Sequence, residues 1–179
     1  ITIGLLMFTS GITFVGYLFS TKLHKILFNI NKGKISMNNH IVLIGFGIMG
    51  KILSDRYQKS NTDFIVLDVG NNMDTDREIL REKERLIISP YPGHKDTLSK
   101  ARVNEAKIVI VNFETDADTI LAVMNVSEYL KDCKDKPKVL ARIYYEDNIS
   151  KAKLAGADVV IAPHVMVAEE IENWRSKLQ

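Results

Sequence analysis

The chain has one cysteine, Cys133, which excludes an internal disulfide framework and any cysteine-built zinc site. Histidine is nearly as scarce. His24, His40, His94 and His164 are scattered without the paired spacing of metal ligands, so each reads as structural or exposed. Ser89, Ser99 and Ser150 lack the context of a nucleophile elbow. Acid is missing altogether from residues 1–39, where Lys22, Lys25, Lys32 and Lys34 give a charge of +4. The other 20 basic residues and all 22 acidic ones follow, leaving a body of charge −2. A mildly acidic body behind a basic neck argues against nucleic acid as the main partner. With 179 residues and 46% hydrophobic content, the chain suffices for one ordinary domain with a real core, plus an appendage.

Charge of either sign is also absent from Ile1 to Thr21. As a helix, that run reaches about 31 Å, roughly a bilayer core. The basic residues follow the apolar run instead of preceding it, which is the wrong order for a signal peptide. The start on Ile1, with no initiator methionine, reads as a fragment of something longer. The small and hydroxyl residues Thr2, Gly4, Thr9, Ser10, Gly11, Thr13, Gly16 and Ser20 suit a helix packed on other helices or lining a cavity. The expectation is a transmembrane helix over 1–28 in a lipid bilayer, with the following lysines placing the C-terminal side in the cytoplasm. A buried helix of a soluble protein is the other reading, although such helices usually show charge on one face. Residues 29–39 read as a polar linker.

Strand and helix patterns then alternate. Apolar runs at 40–44, 64–68, 85–89, 107–112, 138–145 and 158–162 read as strands. Ile48, Ile52 and Tyr57 mark one helix face, and further helices are predicted over 74–84, 117–130 and 148–155. Pro90, Pro92 and Gly93 break the chain after the third strand. Strands that are apolar on both faces and joined by helices imply a parallel sheet covered on each side. The predicted fold is therefore α/β, a Rossmann-like doubly wound parallel sheet preceded by one transmembrane helix.

The glycines of the stretch GFGIMG fall at Gly45, Gly47 and Gly50, after a predicted strand and at the opening of a predicted helix. Asp68 ends the second strand, 23 residues after Gly45, close to the spacing of a ribose-binding acid. In this pattern Gly45 permits a tight turn, Gly47 lets phosphates approach, and Gly50 lets the helix pack on the strand. The free N–H groups and positive dipole end of the helix then face a pyrophosphate. Gly45, Phe46, Gly47, Ile48, Met49, Gly50 and Asp68 are thus candidate nucleotide-binding residues. The competing reading keeps the glycines for packing alone.

In order and spacing, IGFGIMG with Asp68, AKIVIVNFETDADTI (106–120) and KLAGADVVIAP (153–163) together resemble the regulator-of-potassium-conductance domain, the RCK or TrkA-N type, joined to the pore-lining inner helix of a prokaryotic potassium channel. Gly156 and Pro163 stand where that family enters and leaves its last core strand. The resemblance implies a pore helix over 1–28, a Rossmann-like lobe over 40–162 and a crossover helix over 163–179. It implies potassium ions, the bilayer, a nucleotide and copies of the chain itself as partners, in a tetrameric pore with RCK dimers or an octameric gating ring. The location implied is the cell inner membrane, with the RCK domain cytoplasmic. NAD(H) or an adenine nucleotide, ATP or ADP, is the expected ligand. The loop with Asn112, Glu114 and Thr115 is expected to close the other side of its pocket, while Asp68 binds the ribose and repels a 2′-phosphate.

Two departures from the family stand out. Its Gly-Asp pair after the third strand is replaced by Pro90 and Tyr91, which removes one acidic contact. Relatives gated by calcium carry acids where this chain has Asn112, Arg142 and Tyr144; a hard dication needs anionic oxygens, so calcium is not expected there. Glu114, Asp116 and Asp118 could hold a cation elsewhere, but a solvated acidic helix start is the commoner reading. Val167, Ile171, Trp174 and Leu178 form a stripe that fits either the domain's own core or a neighbouring subunit. The expected function is a ligand-regulated potassium channel, non-enzymatic, with the regulatory domain of a potassium transporter or efflux antiporter as alternative. A membrane-tethered NAD-dependent oxidoreductase fits worse, because one Rossmann lobe leaves no substrate domain.

Overall fold

The structure, a computed structural model, describes residues 37–70 and 74–178. The expected membrane helix over 1–28 and most of the linker lie outside the described residues. No described helix is long and apolar enough to cross a membrane.

The elements run β1 (Ile41–Ile44), α1 (Ile48–Lys59), β2 (Phe64–Asp68), α2 (Thr75–Glu82), β3 (Leu86–Ile88), α3 (Lys95–Lys100), β4 (Ile108–Val111), α4 (Asp116–Tyr129), β5 (Lys138–Arg142), α5 (Ile149–Leu154), β6 (Val159–Ile161) and α6 (Pro163–Lys177). They form one six-stranded parallel sheet in the order β3-β2-β1-β4-β5-β6. The expected doubly wound Rossmann-like arrangement is what the chain adopts. The strand order reverses between β1 and β4, so a crevice opens beyond their C-terminal ends.

Helices cover both faces of the central strands. Val42, Leu43 and Ile44 of β1 and Phe64 to Leu67 of β2 are accordingly buried without alternation. Each such side chain contributes about 1.5–3 kcal/mol on burial. Phe46 joins Leu43, Phe64, Val66, Leu80 and Ile110 in one core cluster, so the glycine turn is anchored by its phenylalanine.

Four features differ from the sequence expectations. On α1, Ile48 is 82% exposed and Ile52 is also exposed, while Gly50 and Ser54 face inward and Leu53 and Tyr57 pack on the core cluster. Close contact between Gly50 and the turn rotates that face inward, and the two isoleucines turn out. The helix α3 was not anticipated, because its six residues, KDTLSK, are too short to show a period. β5 stops at Arg142 instead of 145, since the N–H groups of Tyr144 and Tyr145 bond Asp116 and not a strand. Finally, α6 buries no residue against the described part of the chain, so the reading that its stripe packs on the domain's own core fails.

Candidate functional site

The site forms where β1 ends. Gly45 N–H donates to Leu67 O at 2.8 Å, and Asn112 N–H donates to Ile44 O at 2.8 Å, so the turn is wedged between β2 and β4. Gly45 has φ +96°, and a Cβ there would lie 2.5 Å from Asn112 O. Both the conformation and the space require glycine. At Gly50 a Cβ would lie 2.8 Å from Gly45 O, which accounts for that glycine by helix packing. Gly47 differs. Its φ is −79°, ordinary for any residue, and among the described residues a Cβ would meet nothing nearer than the Glu114 side chain at 4.0 Å. Packing therefore explains two of the three glycines and leaves Gly47 open to the outside.

Gly47 is also the N-cap of α1 and supplies no side-chain acceptor, and no acid stands in the first turn. Ile48 and Met49 project outward there. By contrast, Asp74 accepts Arg77 N–H at 3.0 Å to cap α2, and Thr115 accepts Asp118 N–H at 3.1 Å to cap α4. Among the described residues, the start of α1 thus keeps backbone donors without a side-chain cap and a positive dipole end facing the crevice.

Asp68 lies across the turn and is 6% exposed. It accepts Phe46 N–H at 3.2 Å, Gly70 N–H at 3.2 Å and Arg77 Nε–H at 2.8 Å. Arg77 also donates to Asp74 at 3.0 Å and to Phe46 O at 3.2 Å. Lys51 of α1 reaches Asp74 at 2.5 Å and Asp76 at 3.2 Å. The Lys51 hydrogen bond, followed by the Arg77 N–H, holds the Asp74 carboxyl below its ordinary range, and the same contact raises the Lys51 ammonium.

The far wall is the loop after β4. Asn112 is buried with Oδ1 lacking a partner among the described residues, and Glu114 is exposed beside Gly47. The Thr115 hydroxyl is engaged in its cap and donates to Asp118 Oδ2 at 2.6 Å. Asp116 is not the solvated acid expected. It is buried and accepts Tyr144 N–H at 2.8 Å, Tyr145 N–H at 3.0 Å and Asn148 Nδ2–H at 2.9 Å. Burial alone would raise its carboxyl, but these bonds and the Arg142 charge outweigh burial and hold it below the usual range.

At the positions where calcium-gated relatives carry acids, Arg142 donates to Phe113 O and lies over the Tyr144 ring at 3.9 Å. Tyr144 in turn stacks on His164 at 5.2 Å. Tyr91, at the place of the missing Gly-Asp pair, is 73% exposed. Among the described residues, no three or more His, Cys, Asp or Glu are grouped to hold a metal.

The structure therefore brings Gly45, Phe46, Gly47, Ile48, Met49, Gly50, Asp68, Asn112 and Glu114 to one crevice, with Thr115 at its edge. Sequence reasoning missed Lys51, Asp74 and Arg77. The one signal for them was the charged helix start DTDRE (74–78), with an arginine at the third helical position.

"Probable potassium channel protein 2" of Methanocaldococcus jannaschii is 25% identical over 138 residues, which are 75% of this chain and 38% of that protein. The chain thus spans well under half of that relative's length. The TrkA-N domain of the inner membrane protein ybaL from Escherichia coli shares the fold, at 20% identity and TM-score 0.66, over 78% of this chain and 98% of that one. The GsuK channel bound to NAD also shares the fold, at 20% identity and TM-score 0.56, over 72% of this chain and 22% of that one. GsuK bound to ADP does so at 21% identity and TM-score 0.55, over 71% of this chain and 32% of that one. The sequence pattern of the TrkA-N domain matches residues 41–163, and the chain belongs to the TrkA-N domain family.

Proposed function

We propose that this chain is the regulatory nucleotide-binding part of a potassium channel, and that it is not an enzyme. The observation that carries this reading is Gly47. No packing in the described residues explains it, and it opens the uncapped helix start onto the crevice at the strand-order reversal. The pyrophosphate of NAD(H), or the phosphates of ATP or ADP, lie over Gly45–Gly50 with Ile48 and Met49 supplying backbone N–H groups. Asp68 faces the ribose, and Asn112 and Glu114 bound the other side. The potassium-channel relative and the NAD- and ADP-bound GsuK structures support the assignment.

Regulation needs no chemistry, only a difference in affinity between two shapes of the assembly. A tenfold difference is worth about 1.4 kcal/mol per site, and copies of the chain in one ring multiply it. The membrane helix, the crossover role of α6 and the cytoplasmic placement belong to the same proposal.

Calorimetry of the full chain in detergent against NAD, NADH, ATP and ADP tests it. Binding tighter than millimolar is expected for at least one of them. Gly47→Val, whose Cβ would meet, among the described residues, only the Glu114 side chain at 4.0 Å, should weaken it at least tenfold. Absence of binding by all four ligands would overturn the reading, and so would Gly47→Val binding as tightly as the native chain.

A further inference from the structure

Asp68 is the acid that the nucleotide reading assigns to the ribose, yet its carboxylate is already engaged. Oδ1 accepts Phe46 N–H, and Oδ2 accepts both Gly70 N–H and Arg77 Nε–H. A carboxylate offers about four lone-pair sites, so these donors leave little room. A ribose diol gripped in the usual two-point manner needs one oxygen for each hydroxyl, and the guanidinium holds one of them.

Arg77 is not a loose side chain that happens to rest there. Its Nη1 donates to Asp74 at 3.0 Å, its Nη2 donates to Phe46 O at 3.2 Å, and its guanidinium carbon lies 5.1 Å from the Phe46 ring centre. The side chain is 14% exposed. It thereby ties together the glycine turn, the end of β2 and the first turn of α2. A charge-assisted bond to a carboxylate is stronger than one from a neutral hydroxyl, so a diol does not displace Arg77 freely.

Resting on the nucleotide reading above, we infer that Arg77 is a specificity-determining residue that competes with the ribose diol for Asp68. The native site takes a nucleotide through its phosphates and reads the ribose weakly. Removing the guanidinium leaves Oδ2 with Gly70 N–H alone, which opens one acceptor site and restores ribose recognition. The arginine thus sets which part of the ligand supplies affinity.

The test compares ADP with 2′,3′-dideoxy-ADP on the full chain, by calorimetry, for the native protein and for Arg77→Met, whose thioether still packs over Phe46. In the native protein the two ligands should bind within about threefold of one another. In Arg77→Met, ADP should gain about tenfold over its dideoxy analogue, the worth of one good hydrogen bond. A thermal melt checks that the variant is folded. Asp74→Asn, which keeps a side chain able to cap α2 but removes an anchor of Arg77, should shift the ratio the same way by a smaller factor; it carries the test where Arg77→Met is unfolded. A native protein that prefers ADP strongly, with the preference lost in Arg77→Met, would show that Arg77 holds the ribose and would overturn the inference. An unchanged ratio in both variants would also overturn it while leaving the nucleotide reading intact. If neither ADP nor its dideoxy analogue binds any form, the inference falls, while the nucleotide reading is decided separately by the four-ligand calorimetry above.

Discussion

His40 sits just before β1 with its ring wholly buried, Nε2 2.9 Å from Ala101 O and Nδ1 without a partner among the described residues. With Nε2–H donating to that carbonyl, Nδ1 is a bare acceptor, and protonation would bury a charge and an unmatched donor. Burial pushes the imidazole below 6.5; the Ala101 carbonyl opposes this, Arg102 adds to it, and Glu105 and Asp63 oppose it. The folded state therefore disfavours protonation more than the unfolded chain does. Stability from this residue is complete above about pH 6.5 and is lost as pH falls from there toward the folded value, by at most about 1.4 kcal/mol per pH unit. Melting temperatures of the native chain should fall from pH 7 to 5.5, and His40→Gln, which can still donate to Ala101 O, should flatten that decline. Parallel curves for the two proteins would show that other groups set it. At this scale the glycines and Asp68 were legible, because backbone space and strand ends leave a mark in sequence. Arg77 and Asp116 were not, since the partners of a charged side chain depend on which elements the fold brings beside it.

At the scale of elements, hydrophobic period reported the helices but not always what they face. On α1 a packing glycine chose the inward face, and Ile48 and Ile52 went outward although their spacing fits a helix stripe. On α6, Met166, Val167, Ile171 and Trp174 are each more than half exposed, and Leu178 just beyond the helix is 82% exposed. Apolar residues exposed at helical spacing fit an interface better than solvent, and under the proposed ring the occupant is a second copy of this chain. Ile171→Glu with Trp174→Glu should lower the mass found by sedimentation of the full chain in detergent while the chain still melts cooperatively, because neither side chain packs on the described core. A mass unchanged by the double substitution would exclude α6 from self-association.

At the scale of the whole molecule, the rim formed by the C-terminal ends of the strands has two unlike halves. Over β1 and β2, Gly47 carries no side chain and α1 starts without a side-chain cap. Over β4 and β5 the chain closes on itself, with Asp116 clasping Tyr144, Tyr145 and Asn148, and Arg142 bound to Phe113 O. The alternation of strands and helices made the sheet and its order legible, because connection rules leave few topologies. It did not reveal that the second half is filled by the protein's own charges. A cation entering there would have to displace a guanidinium, and no freed carboxylate would compensate. A ligand at a hundred times its Kd adds about 2.7 kcal/mol to stability, worth several degrees in a domain of this size. A saturating nucleotide should therefore raise the melting temperature by that amount, whereas millimolar calcium should raise it by less than a degree. A calcium-dependent rise abolished by Tyr144→Ala, with the nucleotide response unaltered, would place a cation site at Arg142 after all and refute the division of the rim.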